Sequence, residues 1–217
     1  MGTSSSATIV IVGAGGFGRE VLQYLLDTFS STHECGVKGF VDDQPSDLAR
    51  FGLPYRVLAD THTYEPAPGD RLVIAVGDPQ TRMTLADRFA SRGATFLRVV
   101  HPLAHVAASA SIGAGCILGP FATVGAHATI GDHSVLTFYA SVGHDAKVGR
   151  CCALSPYSVI NGGATVADGV FLGSHAVVNP LQSVGEGSKV AAGAVVYRAV
   201  PPGRLAAGNP ARTRPLW

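Results

Sequence analysis

Charge is scarce in this chain. Only 14% of its 217 residues are Asp, Glu, Lys or Arg, and the formal net charge is +1. Without clustered Lys and Arg there is no electrostatic footprint for a nucleic acid. No apolar run approaches the about 20 residues that cross a bilayer, and no apolar secretory segment stands at the start. The expectation is a cytoplasmic protein with neither membrane nor nucleic acid as partner. Met1-Gly2-Thr3-Ser4-Ser5-Ser6 superficially fits an N-myristoylation pattern and reads instead as a disordered start. Cysteine is sparse too. Cys35, Cys116, Cys151 and Cys152 contain no CxxC pair, which points to a reduced compartment. Eight histidines invite a metal, but His101 and His105 flank Pro102, and His127 and His133 stand six apart. A proline between two histidines disfavours a shared helical face, and no known ligand spacing is met, so no metal is expected. Hydrophobics, by contrast, reach 47%, which implies apolar surface buried between subunits.

Much of that apolar content follows a strict period. Read in sixes from Val106, the hexads open with Val106, Ile112, Leu118, Val124, Ile130, Leu136, Val142, Val148, Leu154, Ile160, Val166, Leu172, Val178, Val184, Val190 and Val196. All sixteen openings are Val, Ile or Leu, with no insertion before Pro201. The second place is often Gly, and the fifth is small, as at Ala122, Ala128, Ser134 and Ala140. A helix needs apolar residues every 3.6 positions and a flat strand every second. A period of six fits neither. It fits a solenoid of short strands and turns, in which the aliphatic fills the interior and each coil covers the next.

Before the repeat lies a different pattern. Residues 8–12 (Thr-Ile-Val-Ile-Val) predict a buried parallel strand. Gly13-Ala14-Gly15-Gly16-Phe17-Gly18 follows, a G-x-G-x-x-G loop. Arg19 to Phe29 carries a helical stripe of Val21, Leu22, Leu25, Leu26 and Phe29. Val37 to Val41 predicts a second strand ending in Asp42-Asp43. That order suits a nucleotide: glycine-loop N–H groups and a helix N-terminus for phosphate, an acid for the ribose or base. Short strands at 55–58, 71–76 and 95–100, and a helix over 80–92 with Met83, Leu85, Ala86 and Phe89 inward, complete about half a dinucleotide-binding fold. The domains are expected at 1–100 and 101–217. A dehydrogenase would need a second catalytic α/β or α+β region. The loop is therefore expected to hold the diphosphate of a nucleotide-linked substrate.

The hexads and the closing Gly208-Asn209-Pro210-Ala211-Arg212 resemble the hexapeptide-repeat acyltransferases. With the glycine-rich N-terminal region, they resemble the sialic acid O-acetyltransferase-like branch, which includes N-acetyltransferases of UDP-4-amino sugars. The resemblance spans Ile9 to Arg212. It implies a left-handed parallel β-helix of just over five coils, three hexads each, with residues 18 apart stacked. It also implies acetyl-CoA as cosubstrate and a homotrimer with each active site between neighbouring β-helices. Gly13, Gly15, Gly16, Phe17, Asp42, Asp43, Gly77 and Asp78 would take the nucleotide-sugar. Ala153, Gly162, Ser174, Ala192 and Gly193 would line the coenzyme groove.

Acyl transfer from a thioester needs a base for the nucleophile's proton and donors for the developing oxyanion. Val142-Gly143-His144-Asp145 is the place in the repeat that offers one. Histidine titrates near neutrality, and an adjacent carboxylate orients its ring. The resemblance makes His144 the general base, Asp145 its modulator and the Gly162 N–H an oxyanion donor. Asp145, 18 residues after His127, has a second possible partner there. Relatives carry His at 17 and 153 and often Asn at 137, where this chain has Phe17, Ala153 and Thr137. The expected reaction is acetylation of the amino group of a nucleotide-linked sugar. The alternatives are O-acetylation at the same site or a non-catalytic β-helix that binds sugar nucleotides.

Overall fold

A computed structural model describes residues 8–29, 36–44 and 47–216. Met1–Ser6 and Cys35 lie outside the described residues. The first unit is a parallel sheet of β1 (Thr8–Val12), β2 (Gly36–Val41), β3 (Val57–Ala59), β4 (Asp70–Ile74) and β5 (Thr95–Phe96) in the order β3-β2-β1-β4-β5. This is the strand order of half a dinucleotide-binding fold. Helix α1 (Gly16–Phe29) follows the glycine loop, and α2 (Pro79–Ser91) follows β4. β1 is buried on both faces, as a β-branched run in a covered parallel sheet should be. The expected stripe of α1 holds at Val21, Leu22 and Leu25, but Leu26 is exposed and Tyr24 is buried in its place.

From residue 99 the chain becomes a three-sided solenoid. Two-residue strands recur every six residues, and each pairs in parallel with the strand 18 residues away, as Ser141–Val142 pairs with Thr123–Val124 and Val159–Ile160. Every hexad opening from Leu118 to Val196 is buried, while Val106 and Ile112 at the base are half-buried. Each full burial contributes about 1.5–3 kcal/mol against an exposed side chain. From Ala122 to Ala194 the fifth-place Ala and Ser are buried as well, and Cys116, Cys152 and Val170 take the same inward place.

The faces differ outside. Face I begins with Val99–Val100 and Ile117–Leu118. The sequence assigned residues 99–100 to the last α/β strand. They instead pair with the solenoid, because Val99 N–H and His101 N–H bond across to Cys116 and Leu118. Face I also continues upward: Arg204–Ala207 adds in parallel and Arg212–Pro215 antiparallel. The column is therefore somewhat longer than the hexads alone predict, and the closing segment covers its last edge. The outward residues of face I are Val99, Ile117, Val135 and Ala153, all buried, then Phe171 and Lys189. Face III points Ser111, Thr129, Lys147, Thr165 and Ser183 to solvent. Face II points out His105, Thr123 and Ser141, then half-buried Val159, Val177 and Val195.

The α/β unit sits on face I. Tyr24 of α1 lies against Gly119. His101 Nδ1 accepts from Leu103 N–H, so Nε2 carries the proton toward Asp27, 3.2 Å away. On the III/I edge, Phe96 packs edge-on to His133 at 4.5 Å and Arg150 pairs with Asp87 at 2.6 Å. Arg82 of α2, 1% exposed, donates to Cys152 O of the solenoid and to Val76 O and Gly77 O of its own unit. Met83, expected inward, is only half-buried and faces Gly169, because Arg82 takes the buried position beside Leu85, Ala86 and Phe89.

Candidate active site

The turn after Ser141–Val142 puts His144 and Asp145 on the II/III edge. Asp145 has φ 59°, a left-handed turn residue, with its N–H bonded to Ala126 O. Its carboxylate lies 2.8 Å from His144 Nδ1. A carboxylate only accepts, so Nδ1 carries a proton and the Nε2 of the neutral ring keeps its lone pair. The Asp145 carboxylate pairs with His144, and no pair with His127 forms among the described residues. One coil up, Gly162 lies against the ring. A Cβ there would fall 2.6 Å from Nε2. The Gly162 N–H donates to no atom of the chain among the described residues, whereas Gly163 N–H is taken by His144 O.

The glycine loop is shaped as its three glycines require. Gly13 has φ +107°, and a Cβ on it would strike Ala75 O at 2.7 Å. A Cβ on Gly18 would overlap Gly13 O, so the third glycine sets the close approach of α1 to β1. Gly15 has nothing near its Cβ position, and Gly16 only the Arg19 side chain at 3.9 Å. Their backbone is open to a ligand at the N-terminus of α1.

The acids are already engaged. Asp42 accepts from Ala14 N–H at 2.6 Å and from Gln44 N–H at 2.8 Å. Asp43 accepts from Thr61 N–H and hydroxyl. Both line a cavity of about 130 Å³ with Gly13. Asp78 caps α2, accepting from Thr81 N–H and hydroxyl at 2.9 Å, and that backbone bond holds its carboxyl below the usual range. A second cavity, about 80 Å³, lies between Phe17 and Gly77 on one side and Thr137, Ala153, Ser155 and Phe171 of face I on the other.

These placements divide the sequence-derived residues. Phe17, Gly77 and Ala153 meet at face I. Ser174, Ala192 and Gly193 follow one another up the I/II edge, where Gly193 N–H bonds to Ser174 O. Gly162 joins His144 and Asp145 on the II/III edge, the corner opposite face I. A further cavity of about 590 Å³ stands at the top of the solenoid, lined by Tyr197, Arg198, Asn209, Pro210, Ala211 and Arg212.

Two features escaped sequence reasoning. Arg82 seals the seam beside Gly77, and the signal was its place on the buried helical row with Pro79, Leu85, Ala86 and Phe89. The other is a ladder on the I/II edge. Phe121, Tyr139, Tyr157 and His175, each 18 residues apart and each with φ 59–61°, stack with centroids 4.7, 4.9 and 5.0 Å apart. The signal was the aromatic recurrence at the coil period.

Two family models match: the PglD N-terminal domain over residues 8–89 and the bacterial transferase hexapeptide (six repeats) over residues 109–144. No curated protein sequence matches. Among solved structures, PerB from Caulobacter crescentus in complex with CoA and GDP-perosamine is 30% identical, with TM-score 0.83 over 96% of this chain and 97% of that one. The acetyltransferase domain of PglB from Neisseria gonorrhoeae, in complex with acetyl coenzyme A, is 26% identical, with TM-score 0.85 over 97% and 100%. WeeI from Acinetobacter baumannii is 28% identical, with TM-score 0.84 over 96% and 100%. A likeness over both units at this identity extends from end to end of the relatives, and on it the chain belongs to the hexapeptide-repeat acetyltransferases, in the branch that joins a PglD-type N-terminal domain to the β-helix.

Proposed function

We propose that this protein transfers the acetyl group of acetyl-CoA to the amino group of a nucleotide-linked amino sugar. The observation that carries the reading is the His144–Asp145 contact, which leaves Nε2 as a free base against Gly162. Acetyl-CoA supplies the thioester. His144 Nε2 takes the proton of the attacking amine, and its imidazolium returns one to the departing sulfur. Asp145 holds the ring and stabilises that imidazolium. The Gly162 N–H, taken by no acceptor among the described residues, is the donor for the developing oxyanion. The residues present fit the coenzyme. The upper I/II edge is small at Ser174, Ala192 and Gly193, and the 590 Å³ cavity offers an aromatic ring and two guanidinium groups for an adenine nucleotide. The open backbone of Gly15 and Gly16 receives the sugar-nucleotide diphosphate, with Asp42 and Asp43 toward the nucleoside and Gly77 and Asp78 beside them.

The glycine loop lies on face I and His144 on the opposite corner, which favours a base and an acceptor held by different copies. A homotrimer in which one copy's His144 serves its neighbour's sugar-nucleotide meets this, in the cytoplasm where sugar nucleotides are made. PerB, solved with CoA and GDP-perosamine together, supports the substrate class. The test is incubation with acetyl-CoA and GDP-, UDP- and dTDP-linked 4-amino sugars, following free thiol and product mass. Acetylation of an amino sugar is expected. Acetylation only of the corresponding hydroxy sugars would move the reading to O-transfer, and no thiol release with any acceptor would refute it.

A further inference from the structure

Phe51 is an exposed phenyl ring, and what lies against it is charged. It ends the 3₁₀ turn Ala49–Phe51 that follows β2. Leu48 before the turn and Leu53 after it pack into the core beside α1, while the ring between them stays at the surface. Two guanidinium groups rest on that ring. The Arg19 carbon stands 3.8 Å from its centroid and the Arg50 carbon 4.5 Å from it. Arg19 belongs to the first turns of α1, and long helical side chains lean back toward the N-terminus. Its Nη2 accordingly comes within 3.9 Å of where a Cβ on Gly16 would be. The guanidinium thus borders the bare backbone of the glycine loop.

These two cations have no carboxylate. Among the described residues neither forms an ion pair, and neither guanidinium donates a hydrogen bond to the protein. The acids around the loop are engaged otherwise: Glu20 accepts from the Tyr24 hydroxyl, Asp42 from Ala14 and Gln44 N–H, and Asp43 from Thr61. Stacking on a ring uses the face of a guanidinium and leaves its in-plane N–H edge free. That edge is the part that grips a phosphate with two parallel bonds. Two like charges beside one ring also repel, and an anion placed between them removes the repulsion.

We propose that Arg19, held against Phe51, binds the diphosphate of the nucleotide-linked sugar, and that Arg50 adds a second positive charge at the same mouth. Arg19 has this role only if the glycine loop receives a sugar nucleotide, the reading given above. It then adds a side-chain cation to the backbone N–H groups of Gly15 and Gly16. Arg19 touches the ligand, and Phe51 is a positioning residue. The ring braces a long side chain before the ligand arrives, so less rotamer freedom is lost on binding. The coenzyme draws on other arginines, Arg198 and Arg212, at the top of the solenoid, which makes its binding an internal control.

Calorimetric titration of the full chain with GDP, UDP and dTDP tests this without turnover. The wild type should bind at least one of them, with an affinity that falls as salt rises. Arg19→Gln should weaken that binding about tenfold or more, as the loss of a hydrogen bond to a charged group does, and flatten its salt dependence. Arg19→Lys keeps the charge without the fork and should recover only part of the affinity. Phe51→Leu frees the guanidinium but keeps its charge, so a loss of about threefold with the salt dependence retained is expected. Acetyl-CoA affinity should be unchanged in all three. Should Arg19→Gln fail to fold, Phe51→Leu and Arg50→Gln carry the test, and full nucleotide affinity in both would overturn the proposal. Nucleotide binding by folded Arg19→Gln as tight as by wild type would overturn it too and leave the reading of the loop standing. So would acetyl-CoA affinity falling in step with nucleotide affinity, because the arginine would then support the fold rather than the ligand. A wild type that binds none of the three nucleotides refutes the reading of the loop and this role of Arg19 with it.

Discussion

Replacing Gly162 by Ala should disable the base while leaving the fold intact. The added methyl would sit 2.6 Å from His144 Nε2 and 2.7 Å from Cε1, against an ordinary contact of at least 3.4 Å. The ring must therefore retreat by about 0.8 Å, and a displacement near 1 Å at a reacting group costs about 10²-fold in rate, or about 2.7 kcal/mol of barrier. Stability should hardly change. The His144 side chain is 73% exposed and can swing toward solvent. Gly162 is not among the left-handed glycines, so alanine fits its backbone and even restricts the unfolded chain. Alanine also keeps the N–H, which isolates the imidazole as the cause. The assay is steady-state thiol release at saturating acetyl-CoA, beside a denaturant melt of each protein. A kcat within threefold of wild type, with the melt unchanged, would refute the placement of His144 against Gly162.

His144→Ala should lose 10²–10⁴-fold in turnover yet retain acetyl-CoA binding by calorimetry. Arg82→Met should destabilise by about 3 kcal/mol or more in urea, since it strands carbonyls of Cys152, Val76 and Gly77 at a buried seam. Burial pushes the Asp70 carboxyl up, but bonds from Tyr64, Thr8, Lys38 and Ala67 N–H outweigh it and hold it at about 2. A lowered folded pKa contributes stability above pH about 4 that is lost as pH falls toward 2. That loss is about 2 kcal/mol, and Asp70→Asn should show a correspondingly shallower acid decline in thermal melts. Cys116, Cys151 and Cys152 are fully buried, and burial pushes the thiols of Cys116 and Cys152 up to about 12. In the native protein at pH 8 they should resist Ellman's reagent and react only on unfolding.

The solenoid was legible because its physics is local. One aliphatic per six residues defines the coil, and nothing distant can shift the register. The same holds for the glycine loop, where Gly13 and Gly18 answer to contacts within the β1–α1 unit. What escaped depends on packing between units. Val99 and Val100 read as the end of an α/β strand until the solenoid claims their N–H groups. Arg82 reads as a surface helix residue, and only the seam makes it a buried strut. Asp145 could turn to His127 or to His144, and the turn geometry sets its carboxylate on His144. The ladder depends on an 18-residue spacing that emerges only after three hexads close a coil. The division of the site between two corners is likewise a property of the triangle.

Subunit mixing tests the shared site most directly. Gly15→Asp places a negative charge in the open loop with nothing for its side chain to strike and should reject the sugar diphosphate. His144→Ala removes the base. Each variant alone should be inactive. Coexpressed at equal levels, they should recover about a quarter of wild-type activity, the share of heterologous contacts that pair an intact loop with an intact histidine from different copies. Mixed oligomers that form yet stay as inactive as the two parents would contradict a site built from two chains.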